Sequence, residues 1–262
     1  MSELAQVLLT TLLAVALSMV LLWLVSLVLR DASIVDIYWG LGFVLIAWVA
    51  YAVADGHAPR SRIVTLLTTL WGARLAAHLA WRNAGRGEDF RYVQMRERHG
   101  ARFWLVSLYL IFGLQGLLMW VVSLPVQLVH VQGAALPLGW LDLLGGTLWA
   151  IGVGFETVGD WQLARFRADP ANRGQVCDRG LWAWTRHPNY FGDAVMWWGL
   201  YSFAAAAGAT WTAVGPLVMT VLLLEVSGVA MLERSLRDSR PGYAEYAART
   251  SAFFPLPPRR SR

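Results

Sequence analysis

The segment from Leu4 to Leu29 contains no charged side chain. A helix needs about 20 apolar residues to cross the hydrocarbon core of a bilayer. Six further apolar stretches run over approximately 33–54, 62–81, 104–128, 139–160, 189–209 and 211–232. Inside lipid a backbone must satisfy its own hydrogen bonds, so stretches of this kind read as helices. The expectation is an all-α, polytopic integral membrane protein with about seven transmembrane helices. Composition agrees: 57% of the 262 residues are apolar, against about 45–50% in ordinary globular chains. Fifteen Trp residues suit interfacial anchoring. Connections such as "AGATW" (207–211) predict helical hairpins. No internal repeat or low-complexity linker divides the chain, so 1–262 reads as a single membrane domain. The first stretch opens on "MSELAQ", which has an acid where a signal peptide has basic residues, and reads as a retained helix.

Loop charges give an orientation. Six arginines lie between Arg82 and Arg102, five between Trp161 and His187, and seven after Leu232. The intervening "HVQGAALPLG" (130–139) and "AGATW" have none. Arginine-rich loops stay on the cytoplasmic side. Seven spans then place the N-terminus outside and the C-terminus in the cytoplasm, in what reads as a bacterial inner membrane. Arg60 and Arg62 fall on the outer side and run against the pattern.

All 22 basic residues are Arg, and the net charge is +5. Genomic base composition is the plain reason for the missing Lys. Arg is also the better bidentate ligand for phosphate. The positive charge is divided among short loops, which excludes a nucleic-acid surface. One cysteine, Cys177, cannot form an internal disulfide or a thiolate metal site. The five His residues have no ligand spacing, so no metal is expected.

Ionisable side chains at membrane depth are functional candidates by default. In "ETVGDWQLARFR" (156–167), Glu156, Asp160 and Arg167 are four and seven residues apart, on one helix face. That face either carries an ion-pair ladder or walls a cofactor with amides, hydroxyls and phosphates. In "RGLWAWTRHPNYFGD" (179–193), Pro188 suits a helix first turn. Free backbone N–H groups at such an end attract anions, and Arg179, Arg186 and His187 flank it. Asn189 and Asp193 share a face, Tyr190 lies between them, and Gly192 admits a close backbone or ligand. "PGYAEYAAR" (241–249) forms either a membrane-surface helix or a lid with Tyr243 and Tyr246. In "DIYWG" (36–40), Asp36 and Tyr38 are candidates for proton donation. Arg74 and His78 read as partners of acids on neighbouring helices.

These motifs resemble a known family. With "LERSLRDSRPGYAEYAARTSAFFP" (232–255), they are similar to the C-terminal domain of steroid 5-alpha-reductases and sterol reductases, over roughly residues 145–258. Isoprenylcysteine carboxyl methyltransferases share the Arg-His-Pro fragment. The resemblance implies NADPH in a cavity open to the cytoplasm, held by Asp160, Arg167, Asn189, Tyr190 and Asp193, with Glu156, Arg186, His187 and Tyr246 beside them. The run "RNAGRG" (82–87) looks like the family's turn after the third helix, which adds Asn83 and Arg86. Steroid 5-alpha-reductases polarise an enone with a glutamate on the second helix and a tyrosine on the third. Here Asp36 or Tyr38 falls near the place of the glutamate. Residues 62–81 have no tyrosine, and Trp71 or Gly72 takes its place.

The expected function is an NADPH-dependent membrane reductase acting on a C=C bond of a lipophilic substrate that enters from the bilayer. The alternatives are an S-adenosylmethionine-dependent membrane methyltransferase and a non-enzymatic lipid-binding relative.

Overall fold

The computed structural model describes residues 1–54, 58–132, 137–226 and 240–259. Two compact units divide the chain: Met1–Asp142 with Phe203–Gly215, and Leu143–Ser202 with Pro216–Arg262. Among the described residues there is no strand. An isolated parallel bridge joins Thr185 to Ser251.

In the first unit, α1 (Glu3–Leu29) begins where the Ser2 hydroxyl accepts from the Ala5 N–H at 3.3 Å, an N-cap. It ends at Arg30, in the left-handed conformation (φ 54°). Its buried stripe is narrow: Val7, Thr11, Val15 and Met19, one every fourth residue. The other faces expose Leu13, Leu17 and Val28. A soluble protein hides so continuous an apolar surface; a bilayer accommodates it.

α2 (Ile34–Val53) and α3 (Pro59–Asn83) meet backbone to backbone. A Cβ on Gly40 would lie 2.4 Å from the Gly72 carbonyl oxygen, and the converse distance is also 2.4 Å. Small residues let membrane helices approach this closely. Trp71 is fully buried beside Phe43, at 5.6 Å between ring centroids. Trp71 and Gly72, the two residues expected at the place of a third-helix tyrosine, are therefore helix-packing residues.

Phe90–Val122 is helical along its length but not straight. α4 (Phe90–His99) stops at Gly100, whose φ of 51° favours glycine. The chain resumes as α5 over residues 103–122, with a π-helical turn at Leu108–Gly113. α6 (Leu124–Gln132) follows a break at Ser123. Buried polar groups fix that break. Gln127 donates to the Trp120 carbonyl (2.9 Å) and the Ser123 hydroxyl (2.8 Å), and accepts from Thr11 of α1 (2.7 Å).

At the start of α3, Arg60 is buried against Asp142. Its Nε and one terminal nitrogen donate to the two carboxylate oxygens at 2.6 and 2.9 Å. The same terminal nitrogen reaches the Pro137 carbonyl at 2.8 Å.

The second unit is built on α7 (Trp140–Ala168) and α8 (Pro188–Ala206). They touch at Gly152 and Gly192, where a Cβ on either residue would lie 2.4 Å from the other's carbonyl oxygen. The loop between them holds a 3-10 turn, Pro170–Asn172, and a helical turn, Leu181–Trp184. α9 (Val214–Val221) runs into a π turn, Leu222–Val226, and α10 (Tyr243–Arg249) leads to an extended tail.

Among the described residues, five segments are long and apolar enough to cross a membrane: α1, α2, α3, Phe90–Val122 and α7. The sixth expected span is helical as α8, but Asn189, Tyr190 and Asp193 in its first turns dilute its hydropathy. The seventh is a shorter apolar helix, Thr210–Glu225, and its expected end at 227–232 lies outside the described residues.

Candidate functional site

The end of α7, the loop after it, and Arg240 with α10 line a cavity of about 570 Å³ in the second unit. Arg167, Arg173, Arg186, Arg240 and His187 line it, against one carboxylate, Asp169. The Asp169 side chain is engaged in accepting from the Ala171 N–H at 2.9 Å. Cys177, Trp182, Tyr243 and Tyr246 form the less polar part of the wall. Burial pushes both the Cys177 thiol and the Tyr246 phenol up, so both stay neutral at ordinary pH. The cavity field is set by guanidinium groups, which cannot deprotonate.

Four of the residues expected at a cofactor meet here: Arg167, Arg186, His187 and Tyr246. Tyr246 is buried, and its hydroxyl donates to the Trp182 carbonyl at 2.6 Å. It therefore fixes a wall, and the lid reading of "PGYAEYAAR" gives way to a packed helix. Cys177, Arg173 and Arg240 were not singled out from the sequence. Their shared signal is that they lie in the basic loops that flank the motifs.

The acidic residues sit differently. Glu156 and Asp160 are buried on the side of α7 that meets α8. Asn189 donates to Asp160 at 3.2 Å. A Cβ on Gly192 would lie 2.6 Å from the Glu156 nitrogen, so the close approach that Gly192 permits is to another backbone. Tyr190 stacks on the buried His187, with ring centroids 5.4 Å apart and planes within 2°. Asp193 is half-buried one turn further along α8.

In the first unit, Asn83 ends α3 and its side-chain oxygen accepts from Arg82 at 3.2 Å. Arg86 is exposed in the turn that follows, between Gly85 and Gly87, both at positive φ. Asp36, in the first turn of α2, accepts from the Tyr92 hydroxyl and from Arg91, each at 2.7 Å. Gln115 of α5 donates to the Tyr92 oxygen at 3.3 Å. Tyr38 takes no part in this cluster: its ring lies along α2 beside Gly42. Asp89 caps α4, accepting from the Arg91 N–H at 3.0 Å. Burial raises its pKa, but the hydrogen bonds and charge of Arg91 outweigh that and hold the carboxyl below the usual range.

The tyrosine that partners Asp36 thus comes from α4, beyond the third helix. On a straight helix, residues 92 and 115 would lie about 35 Å apart. The bend at Gly100 brings them into contact.

Membrane-length helices with lipid-facing apolar surfaces define an integral membrane protein with a polar site in its loops. Residues 22–250 match the family described as "Protein of unknown function (DUF1295)", and the chain belongs to that family. It is also similar to an uncharacterized protein of Schizosaccharomyces pombe: 26% identical, over 89% of this chain and 75% of the yeast protein. No solved structure matches the chain.

Proposed function

We propose that the chain is an NADPH-dependent membrane reductase that saturates an activated C=C bond of a lipophilic, steroid-like or isoprenoid substrate. The observation that carries this reading is the basic cavity, with four arginines against one carboxylate. A volume of about 570 Å³ falls within the usual range for small-molecule and cofactor sites, roughly 300–1,000 Å³. The donor set suits phosphate, because guanidinium groups bind phosphate oxygens in pairs. Membership of a steroid 5-alpha-reductase-like family supports an enzyme.

NADPH, when bound, supplies a hydride. The arginines hold its anionic groups, and the buried Tyr246 and Trp182 keep the wall fixed. Within the first unit, Asp36 and Tyr92 are the pair whose own chemistry suits an acid role. The Tyr92 phenol has one proton, donated here to Asp36 while its oxygen accepts from Gln115; it polarises a conjugated carbonyl oxygen by turning that single O–H from the carboxylate to the substrate. That makes the β-carbon electrophilic toward hydride, and the α-carbon then takes a proton.

The finer topology belongs to the same reading: seven spans, N-terminus outside, C-terminus and cavity cytoplasmic, in a bacterial inner membrane. The outer-side Arg60 no longer counts against it, since Asp142 neutralises that charge. The family match runs across both units, which supports a single membrane domain.

Calorimetry on detergent-purified protein tests the cofactor. NADPH is expected to bind, and Arg173→Ala and Arg240→Ala to weaken it at least tenfold, about 1.4 kcal/mol. Binding of S-adenosylmethionine with no response to NADPH would make the chain a methyltransferase. Binding of neither would leave the lipid-binding reading.

A further inference from the structure

The extended tail after α10 is bonded to the corner where the loop enters α8. The Arg186 N–H donates to the Ser251 carbonyl at 2.9 Å, and the Leu256 N–H donates to the Trp184 carbonyl at 3.0 Å. Thr185 is fully buried between them. Its hydroxyl donates to the Phe253 carbonyl at 2.8 Å and accepts from the His187 N–H at 3.3 Å. The Arg186 side chain reaches the Ala247 carbonyl at 3.2 Å. Finally, the Arg259 N–H returns to the Arg249 carbonyl at 2.9 Å, which closes the tail onto α10.

These bonds have one thing in common. Apart from the Arg259–Arg249 bond, each is made by a residue of the stretch 184–187, and Arg186 and His187 in that stretch line the basic cavity. Thr185 occupies the middle position, where one hydroxyl uses both its donor and its acceptor. A buried hydroxyl so engaged cannot be lost without leaving a carbonyl and an N–H unsatisfied.

We propose that the C-terminal tail, residues 250–259, is a strap that positions the Arg186–His187 corner of the cavity, and that Thr185 is the positioning residue that couples them. The proposal rests on the reading of this cavity as the cofactor site, but its first test does not. The chain has one cysteine, Cys177, and it lies buried in the cavity wall. A loosened strap exposes it, so alkylation by a maleimide reads the corner directly. NADPH affinity reads the consequence.

Three variants decide it. Thr185→Val keeps the shape and removes the hydroxyl. Thr185→Ser keeps the hydroxyl. A chain ending at Thr250 removes the strap. Thr185→Val and the truncation are expected to raise the Cys177 alkylation rate at least tenfold and to weaken NADPH at least tenfold, with Thr185→Ser close to the parent protein in both. Helical circular dichroism and a monodisperse elution profile confirm that each variant is folded. Unchanged alkylation in folded Thr185→Val and in the truncated chain would overturn the strap. If the parent protein does not bind NADPH, the proposed function fails while the alkylation rates still decide the strap. A variant that fails to fold passes the decision to the other, since one alters a side chain and the other removes a segment.

Discussion

Tyr92 changes the chemistry that can be assigned to Asp36. A carboxylate two residues from Tyr38 on one helix has its partner pointing elsewhere, whereas the Asp36 carboxylate accepts the Tyr92 phenol proton in a 2.7 Å hydrogen bond. Tyr92→Phe and Asp36→Asn are each expected to lower turnover at least tenfold with NADPH affinity unchanged, and Tyr38→Phe to have a smaller effect. Steady-state kinetics beside calorimetry checks this; full turnover in Tyr92→Phe would remove the pair from the reaction. Asp89 gives a prediction in pH. Its folded carboxyl lies below its ordinary value of 3.8. The stability it lends is therefore present above that value and is lost as pH falls through the folded one. The Arg91 amide, which it caps, should exchange faster with solvent on acidification below 3.8, and Asp89→Ala should exchange fast at every pH. At this scale Asp36 was legible from the sequence, because an acid at the start of a membrane helix stands out. Tyr92 was not, because its closeness depends on a bend. The signal for the bend was present: Arg96, Arg98 and His99 crowd a last turn and Gly100 follows, a helix stop.

At the scale of elements, the helices were legible where apolar length alone decides them and less so where glycine or polar side chains intervene. α1, α2 and α3 fall where hydropathy puts them. The expected span at 104–128 runs through Ser123, where buried hydrogen bonds from Gln127 end one helix and begin another. Pro125 marks that break locally, because it has no N–H to give the Val121 carbonyl, but the Thr11–Gln127 bond that anchors it joins residues 116 apart and is not legible in local sequence. Gly192 was recognised as a point of close approach, but only the fold identifies the visitor as the α7 backbone. A methyl group there must force the helices apart. Gly192→Ala is expected to cost about 1–3 kcal/mol, the usual range for overpacking. Gly154→Ala on the same α7 is the control, since its Cβ would meet nothing within 4 Å. Thermal unfolding in detergent separates the two, and equal midpoints would mean that the glycine contact carries no stability.

For the molecule as a whole, the all-helical membrane class followed from composition and run length, while the number of crossings did not. Among the described residues, five segments meet the length and hydropathy of a span. The sixth expected span carries polar motif residues and the seventh a shorter apolar run. Orientation is decided by reporter fusions. A fluorescent protein fused after Arg262 should fold and fluoresce, and alkaline phosphatase at the same point should be inactive; the reverse result inverts the topology. Clustering of the cavity arginines was legible only as basic loops, because loop residues have no periodicity from which to read who faces whom.

The ion pair at the start of α3 also bears on biogenesis. Arg60 and Asp142 are 82 residues apart in the chain, so the arginine leaves the ribosome long before its carboxylate. An unpaired guanidinium is costly in hydrocarbon and rests at the interface instead. The third helix should therefore wait, shallow and unsettled, until α7 has been made. A nascent chain halted before Asp142 is expected to leave Arg60 open to water-soluble reagents, and one halted after residue 168 to shield it. Asp142→Asn should hold the full-length chain in the earlier state, a protein arrested partway through its own insertion.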